Sequence, residues 1–299
     1  MGKEYEAKFL NINISQIRKK LLNVGANLIH GPLKFSRVVF TRCSDKENSP
    51  IKGFVRIRNE GKKITMTVKT YRDPKFPDEY EVSINEDFNT GLNFLKTIGI
   101  NQKSFQESYR EKWTHPLAHE ITIDIIPGLP IYMEVDCTSE ESLDKVIKLL
   151  GLDDKYKRYG AFDKTYNEYY GIDLEVINDK TESLTFSNIK NEINPTKNLE
   201  LLDEISLLHK ELHKYHEANN MNEFYDKYMK IYNKYLANIE QNRTKPNLVR
   251  KPSKKTSKKL SKKTSKKPSK KPSKKPSKKP SKKTSKKVIK KTSRKVIKK

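Results

Sequence analysis

The sequence predicts an α+β protein: an antiparallel sheet with covering helices over residues 1–171, a linker, a helical hairpin, and a disordered basic tail. Three observations support this. Segments with strict apolar/polar alternation recur between residues 4 and 136 and are separated by turn residues. Three segments of helical period lie among them, each followed by a glycine. From Arg250 the chain becomes repeats of Ser-Lys-Lys-Pro and Ser-Lys-Lys-Thr, with almost nothing apolar to bury.

The first strand reads Glu4-Tyr5-Glu6-Ala7-Lys8-Phe9, and a period of two sends Glu4, Glu6 and Lys8 to one face and Tyr5, Ala7 and Phe9 to the other. A helix follows, with Ile14, Ile17, Leu21 and Val24 on one face, an Asn13-to-Gln16 capping spacing and Gly25 as its stop. In the next strands Val55 and Ile57 alternate with Arg56 and Arg58. After a turn at Asn59-Glu60-Gly61, Ile64, Met66 and Val68 alternate with Thr65, Thr67 and Lys69. Tyr80, Val82 and Ile84 alternate with Glu79, Glu81 and Ser83. A short helix carrying Leu92, Leu95 and Ile98 stops at Gly99. Ile121, Ile123 and Ile125 alternate with Glu120, Thr122 and Asp124; past the Pro127-Gly128 turn, Met133 and Val135 alternate with Glu134 and Asp136. The third helix runs from Thr138 to Gly151, with Thr138 and Glu141 spaced as a capping box.

Each strand therefore has one apolar and one polar face, the pattern of an antiparallel sheet. A sheet with one solvated face would carry mixed polar types on every strand. Here acids dominate the first strand and the Asp124–Asp136 hairpin, while Arg and Lys dominate those between. Such sorting costs repulsion within each patch unless a polyanion and its cations share the space, so we expect an enclosed polar interior.

Residues 172–196 have no sustained period and contain Asn194-Pro195, and they are expected to be a linker. Residues 197–242 are expected to be a helical hairpin, with Leu202, Ile205, Leu208, Leu212 and Tyr215 on one helix and Phe224, Tyr228, Ile231 and Tyr235 on the other. His209, His213 and His216 share a helical spacing that zinc could use, but with lysines interleaved and no cysteine nearby they are expected on a solvated face. The tail, 243–299, is expected to be disordered.

The net charge of +26 is confined to that tail. Residues 250–299 hold 26 of the 63 Lys and Arg and no acid, which leaves 37 bases against 37 acids in the rest. Any cationic site in the body must be a local concentration of charge. The tail itself suits non-specific electrostatic binding of nucleic acid, without the aromatic residues that would stack bases. Cys43 and Cys137 are too few for a disulfide framework, and no apolar run is long enough for a signal peptide or a membrane span. A soluble intracellular protein, cytoplasmic or nuclear, is the expectation.

Taken in order, Glu4-x-Glu6-x-Lys8, Arg56-x-Arg58, Lys69, Glu79-x-Glu81, Arg110 with Trp113, Asp124, Glu134-x-Asp136 and Lys164-Thr165-Tyr166 resemble the triphosphate tunnel metalloenzymes, the CYTH superfamily. That group includes class IV adenylyl cyclases, thiamine triphosphatases, inorganic triphosphatases and RNA 5′-triphosphatases. The resemblance covers residues 1 to about 171 and implies a closed eight-stranded antiparallel β-barrel through which a triphosphate lies. It implies Mg²⁺ or Mn²⁺ as cofactor, with Glu4, Glu6, Asp124, Glu134 and Asp136 as metal carboxylates. Lys8, Arg56, Arg58, Lys69, Arg110 and Lys164 would bind phosphate, with Lys112 a less certain addition. Glu4, Glu6 and Lys69 would be catalytic, with no dedicated base assigned.

Two positions depart from the family pattern. Asp136 stands where Glu is usual, and Arg37-Val38-Val39-Phe40 replaces an acidic residue and an aromatic pair. Hydrolysis of a nucleoside or organic triphosphate, including an RNA 5′-triphosphate, is the leading expectation because nothing in the sequence specifies adenine. Cyclisation of ATP is the second, and a nucleic-acid-binding protein with an inactive tunnel is the third.

Overall fold

The period-two segments form the antiparallel strands they predict, and the sheet curls until its polar faces look at one another. This computed structural model describes residues 2–41, 52–73 and 75–244. The basic repeats and Cys43 lie outside the described residues. The elements in order are β1 (Gly2–Lys3), β2 (Tyr5–Leu10), α1 (Ile14–Asn23), β3 (Asn27–Phe40), β4 (Lys52–Asn59), β5 (Ile64–Tyr71), β6 (Asp78–Ile84), α2 (Phe88–Thr97), β7 (Gln102–His115), β8 (Ala118–Ile125), β9 (Tyr132–Cys137) and α3 (Glu140–Leu149). They continue with β10 (Lys157–Arg158), α4 (Asp163–Tyr170), β11 (Ser183–Leu184), α5 (Ile189–Glu192), α6 (Leu199–His209), α7 (Leu212–Glu217) and α8 (Met221–Thr244).

Strand order is β1-β6-β5-β4-β3-β7-β8-β9-β2-β10, with β11 added alongside β7. Only Glu4 separates β1 from β2. The N-terminal strand therefore pairs with β6 through Gly2 and Lys3, and with β9 through Tyr5 to Leu10.

The apolar faces point outward, under the helices. Ile14, Ile17 and Leu21 of α1 and Leu143, Val146 and Ile147 of α3 join Ala7, Phe9, Ile121, Ile123 and Val135 of the strands in the main core. A smaller core of Val38, Phe40 and Ile57 lies beneath Leu95 of α2. The first cap is the expected one, Asn13 accepting from the Gln16 amide at 3.0 Å. For α3 the cap is Ser139, one residue later than the sequence spacing suggests, accepting from the Ser142 amide.

Residues 172–196, expected to be a linker, instead pack against the sheet. Ile172, Ile177, Leu184, Phe186, Ile189 and Ile193 are buried, and β11 pairs in parallel with β7. Isolated apolar residues in very short elements and the turns between them make this contact, so no period announces it. The helical region is also tied to the sheet. Four phenols grip the β8–β9 turn: Tyr166 donates to the Pro127 carbonyl at 2.6 Å, Tyr228 to Leu129 at 2.7 Å, and Tyr170 and Tyr232 both to Gly128. Gly128 has a φ of +74°, a conformation that side chains resist. At another edge Arg18 of α1 pairs with the buried Glu111 of β7, which also accepts from the Trp113 indole at 2.8 Å.

His209 is not on a solvated face. The helix breaks between α6 and α7, so the three histidines do not share one side. His213 is exposed, the half-buried His216 lies 3.1 Å from the Pro32 carbonyl, and His209 is 3% exposed between Phe186 and Tyr228. Neither ring nitrogen of His209 has a hydrogen-bond partner among the described residues.

Burial pushes the His209 imidazole down to about 3 from its usual 6.5. Below pH 6.5 the unfolded chain takes up a proton that the folded chain refuses, so stability is lost as pH falls from 6.5 toward 3. The slope from this one group is at most about 1.4 kcal/mol per pH unit. Urea unfolding of wild type and His209→Phe between pH 7 and pH 4 should show the wild type losing stability faster; parallel profiles would contradict the burial of a neutral imidazole.

Candidate active site

The strand register assembles the charged residues into cross-strand columns. Glu6 lies opposite Asp136 and Lys8 opposite Glu134, while Asp136 lies opposite Glu120 on its other side. Arg110 lies opposite Asp124, Arg56 opposite Thr67, Thr67 opposite Glu81, and Lys69 opposite Glu79. Because side chains alternate across the pleat, these columns face the same hollow. It is a cavity of about 720 Å³.

Ten of the eleven site residues expected from sequence line this cavity: Glu4, Glu6, Lys8, Arg56, Arg58, Lys69, Arg110, Glu134, Asp136 and Lys164. The eleventh, Asp124, is 1% exposed and sits behind Arg110. It accepts from Arg110 Nε at 2.7 Å and Nη2 at 3.1 Å, and from the Thr122 hydroxyl. Lys112 is paired with Glu120 and is not part of the lining. Lys164 comes from the first turn of α4, which follows the Gly160-Ala161-Phe162 segment along one side of the cavity.

Lysines stand between the carboxylates. Lys69 Nζ contacts Glu4, Glu6 at 3.5 Å and Glu79 at 3.1 Å, and Lys8 Nζ contacts Glu6 at 2.9 Å and Glu134 at 3.5 Å. On the other wall Arg56 reaches Glu81 at 3.3 Å and Glu79 at 3.6 Å, and Arg110 reaches Glu120 at 3.0 Å. Among the described residues, no three Asp, Glu, His or Cys side chains stand grouped as a ready metal site. The ammonium groups occupy the space between the acids.

Titration reflects this partition. Burial and the charge of Glu6 push the Glu4 carboxyl up to about 9, and burial with Glu6 and Glu134 pushes Asp136 up to about 8. Glu6 goes the other way: burial opposes its ionisation, but Lys8 and Lys69 outweigh burial and hold it well below the usual carboxylate range. Glu6 Oε2 is nevertheless buried with no hydrogen-bond partner among the described residues. An ionised carboxylate with an open oxygen calls for a cation or a donor.

Glu79 and Glu81 lie in the sequence motif but were assigned no role; they neutralise Arg56 and Lys69. Lining residues to which the sequence gives no role include Arg37, Glu120 and Tyr132. Glu120 was visible in the alternation with Ile121. Arg37 was visible only as a departure from the family pattern.

No family model matches this chain, and no curated protein matches it. Among solved structures it is similar to a conserved hypothetical protein from Pyrococcus furiosus, at 19% identity and a TM-score of 0.44 over 53% of this chain and 97% of that one. It is similar to an adenylate cyclase candidate from Vibrio parahaemolyticus, at 12% identity and a TM-score of 0.47 over 54% of this chain and 96% of that one. A third is an adenylyl cyclase candidate from Hippeastrum described as having a dominant triphosphatase activity, at 13% identity and a TM-score of 0.38 over 56% of this chain and 94% of that one.

Removing the shared cation of one cluster should be costly. Lys69→Met leaves Glu4, Glu6 and Glu79 without their common partner and is expected to lower the unfolding free energy by about 3–5 kcal/mol at pH 7. Lys3→Met, at an exposed pair with Asp73, should leave it unchanged within error. Denaturant titration of the two variants checks this, and equal midpoints would show that Lys69 is not a buried counter-ion.

Proposed function

We propose that this cavity is the tunnel of a closed eight-stranded barrel and that the protein hydrolyses a triphosphate there. Pairing of the N-terminal strand with both β6 and β9 supports closure. The observation that carries the function is the convergence of several acidic and several basic side chains on one hollow. Arg56, Arg58 and Arg110 meet from the middle strands, while Glu4, Glu6, Glu134 and Asp136 meet from β2, β9 and the residue before β2. A chain of phosphates needs several cations along its length, and the guanidinium fork matches phosphate oxygens.

The carboxylates suit a hard divalent cation such as Mg²⁺ or Mn²⁺. All four offer oxygen, Glu6 Oε2 is open, and the raised Glu4 and Asp136 mark places where a cation would displace a proton. Glu4, Glu6, Glu134 and Asp136 would hold it, and Asp124 would join only by exchanging its bonds to Arg110. When bound, such an ion supplies Lewis-acid polarisation of a phosphoryl oxygen.

The protein's own groups do the positioning. Lys8, Arg56, Arg58, Lys69, Arg110 and Lys164 bind the phosphoryl oxygens and offset the charge that builds on them during transfer. A water oxygen bonds to the terminal phosphorus, the bridging P–O bond breaks, orthophosphate and the shortened phosphate chain leave, and the released proton passes to solvent. The basic tail supports a separate proposal, salt-sensitive and non-specific binding of nucleic acid, which rests on its charge alone.

Incubating the full-length protein with ATP or inorganic tripolyphosphate and Mg²⁺ or Mn²⁺ should release orthophosphate, and Glu6→Ala should lower the rate at least a hundredfold with its circular dichroism unchanged. Cyclic AMP and pyrophosphate as the sole products from ATP would replace hydrolysis by cyclisation. Undiminished turnover by Glu6→Ala would overturn the site.

A further inference from the structure

Arg37 is part of this cavity without an assigned partner. On β3 it stands directly opposite Arg58 of β4, with Gln106 of β7 opposite on the other side. Two guanidinium groups in register on one face of an antiparallel pair repel one another. Arg58 is offset by Glu60 and, at 3.6 Å, by Glu81. No such carboxylate pairs with Arg37 among the described residues. Its Nε donates to Gln106 Oε1 at 2.8 Å, and its plane lies 4.9 Å from the centre of the Phe162 ring.

The electrostatic setting agrees with the geometry. Burial and the charges of Arg56, Arg58 and Arg110 push the Arg37 guanidinium down to about 10. A neutral amide and an aromatic face orient the group but do not neutralise it. They fix the fork while leaving its charge available. Holding it there without an anion costs stability.

We propose that Arg37 is a substrate-binding residue that takes a phosphoryl group, held in place by Gln106 and Phe162, and that it extends the cationic wall formed by Arg56, Arg58 and Arg110. The inference rests on the triphosphate reading of the cavity and deepens it. Because Arg37 covers the face of Phe162, that face is closed to a base, and the ligand part met at this wall is the phosphate chain. An inorganic polyphosphate and the chain of a nucleotide share that chemistry.

The test is calorimetric titration of full-length wild type, Arg37→Gln and Arg37→Lys with inorganic tripolyphosphate and with ATP, in EDTA so that nothing turns over. Arg37→Gln should bind tripolyphosphate at least tenfold more weakly, and Arg37→Lys, which keeps charge but loses the fork, should fall between. Without ligand, Arg37→Gln should melt no lower than wild type, because the substitution removes a repulsion. A purely structural role would predict the reverse. Weakening toward both ligands assigns the phosphate chain to Arg37, whereas weakening toward ATP alone would place the nucleoside there instead and overturn the proposal. Unchanged affinity for both overturns the proposal. Wild-type protein that binds neither ligand would instead sink the cavity reading and Arg37 with it, whereas loss with an Arg56→Gln control but not with Arg37→Gln would leave that reading standing and remove only this inference.

Discussion

Ionised groups withdrawn from water must be neutralised by neighbours, and this constraint governs the molecule. The curled sheet puts its charge on the concave side and its apolar residues on the convex side, the inverse of a small barrel packed with side chains. The helices then cover an outer hydrophobic layer rather than fill a centre. Inside, each strong acid lies near a base: Glu6 near Lys8 and Lys69, Asp124 near Arg110, Glu81 near Arg56. Such pairs add little net stability compared with apolar packing, so their retention points to function.

Opposed charges balance one another within the cavity, and a ligand of the proposed class would exchange those pairings. A phosphate chain offers the arginines and lysines a competing anion, and a divalent ion offers the carboxylates a competing cation. Binding both together keeps the interior near neutrality, whereas binding either alone leaves part of the network unpaired. On the proposed reading, the groups that pair with one another in the fold would be those that recognise the ligand, with Lys69 and Glu6 at the centre of the exchange.

Alternation made much of this legible. The period of two marks the strands and their polar faces, while the choice of site residues, Arg110 and Lys164 among them, comes from the resemblance in motif order, and all but Asp124 line the cavity. Sequence could not show how those groups pair, since Lys69 joins Glu4, Glu6 and Glu79 only through register across three strands. Residues 172–196 escaped because irregular backbone buries isolated apolar side chains without a period. The burial of His209 is not legible because neighbouring lysines suggest a solvated face, whereas Phe186 and Tyr228, distant in sequence, enclose it. Arg37 is marked in the sequence only as a departure from the motif pattern, and its place on the cavity wall follows from β3 lying between β4 and β7.

The phenols on the Pro127–Leu129 turn have a further consequence. Two come from α4 and two from α8, so residues late in the chain brace the loop joining the strands that carry Asp124, Glu134 and Asp136. A fragment ending near residue 171 would contain every acid and base of the cavity except Asp179 and yet lack half of this clasp. The boundary suggested by the motifs thus leaves out α8, whose two phenols hold the loop between two of the strands that line the cavity.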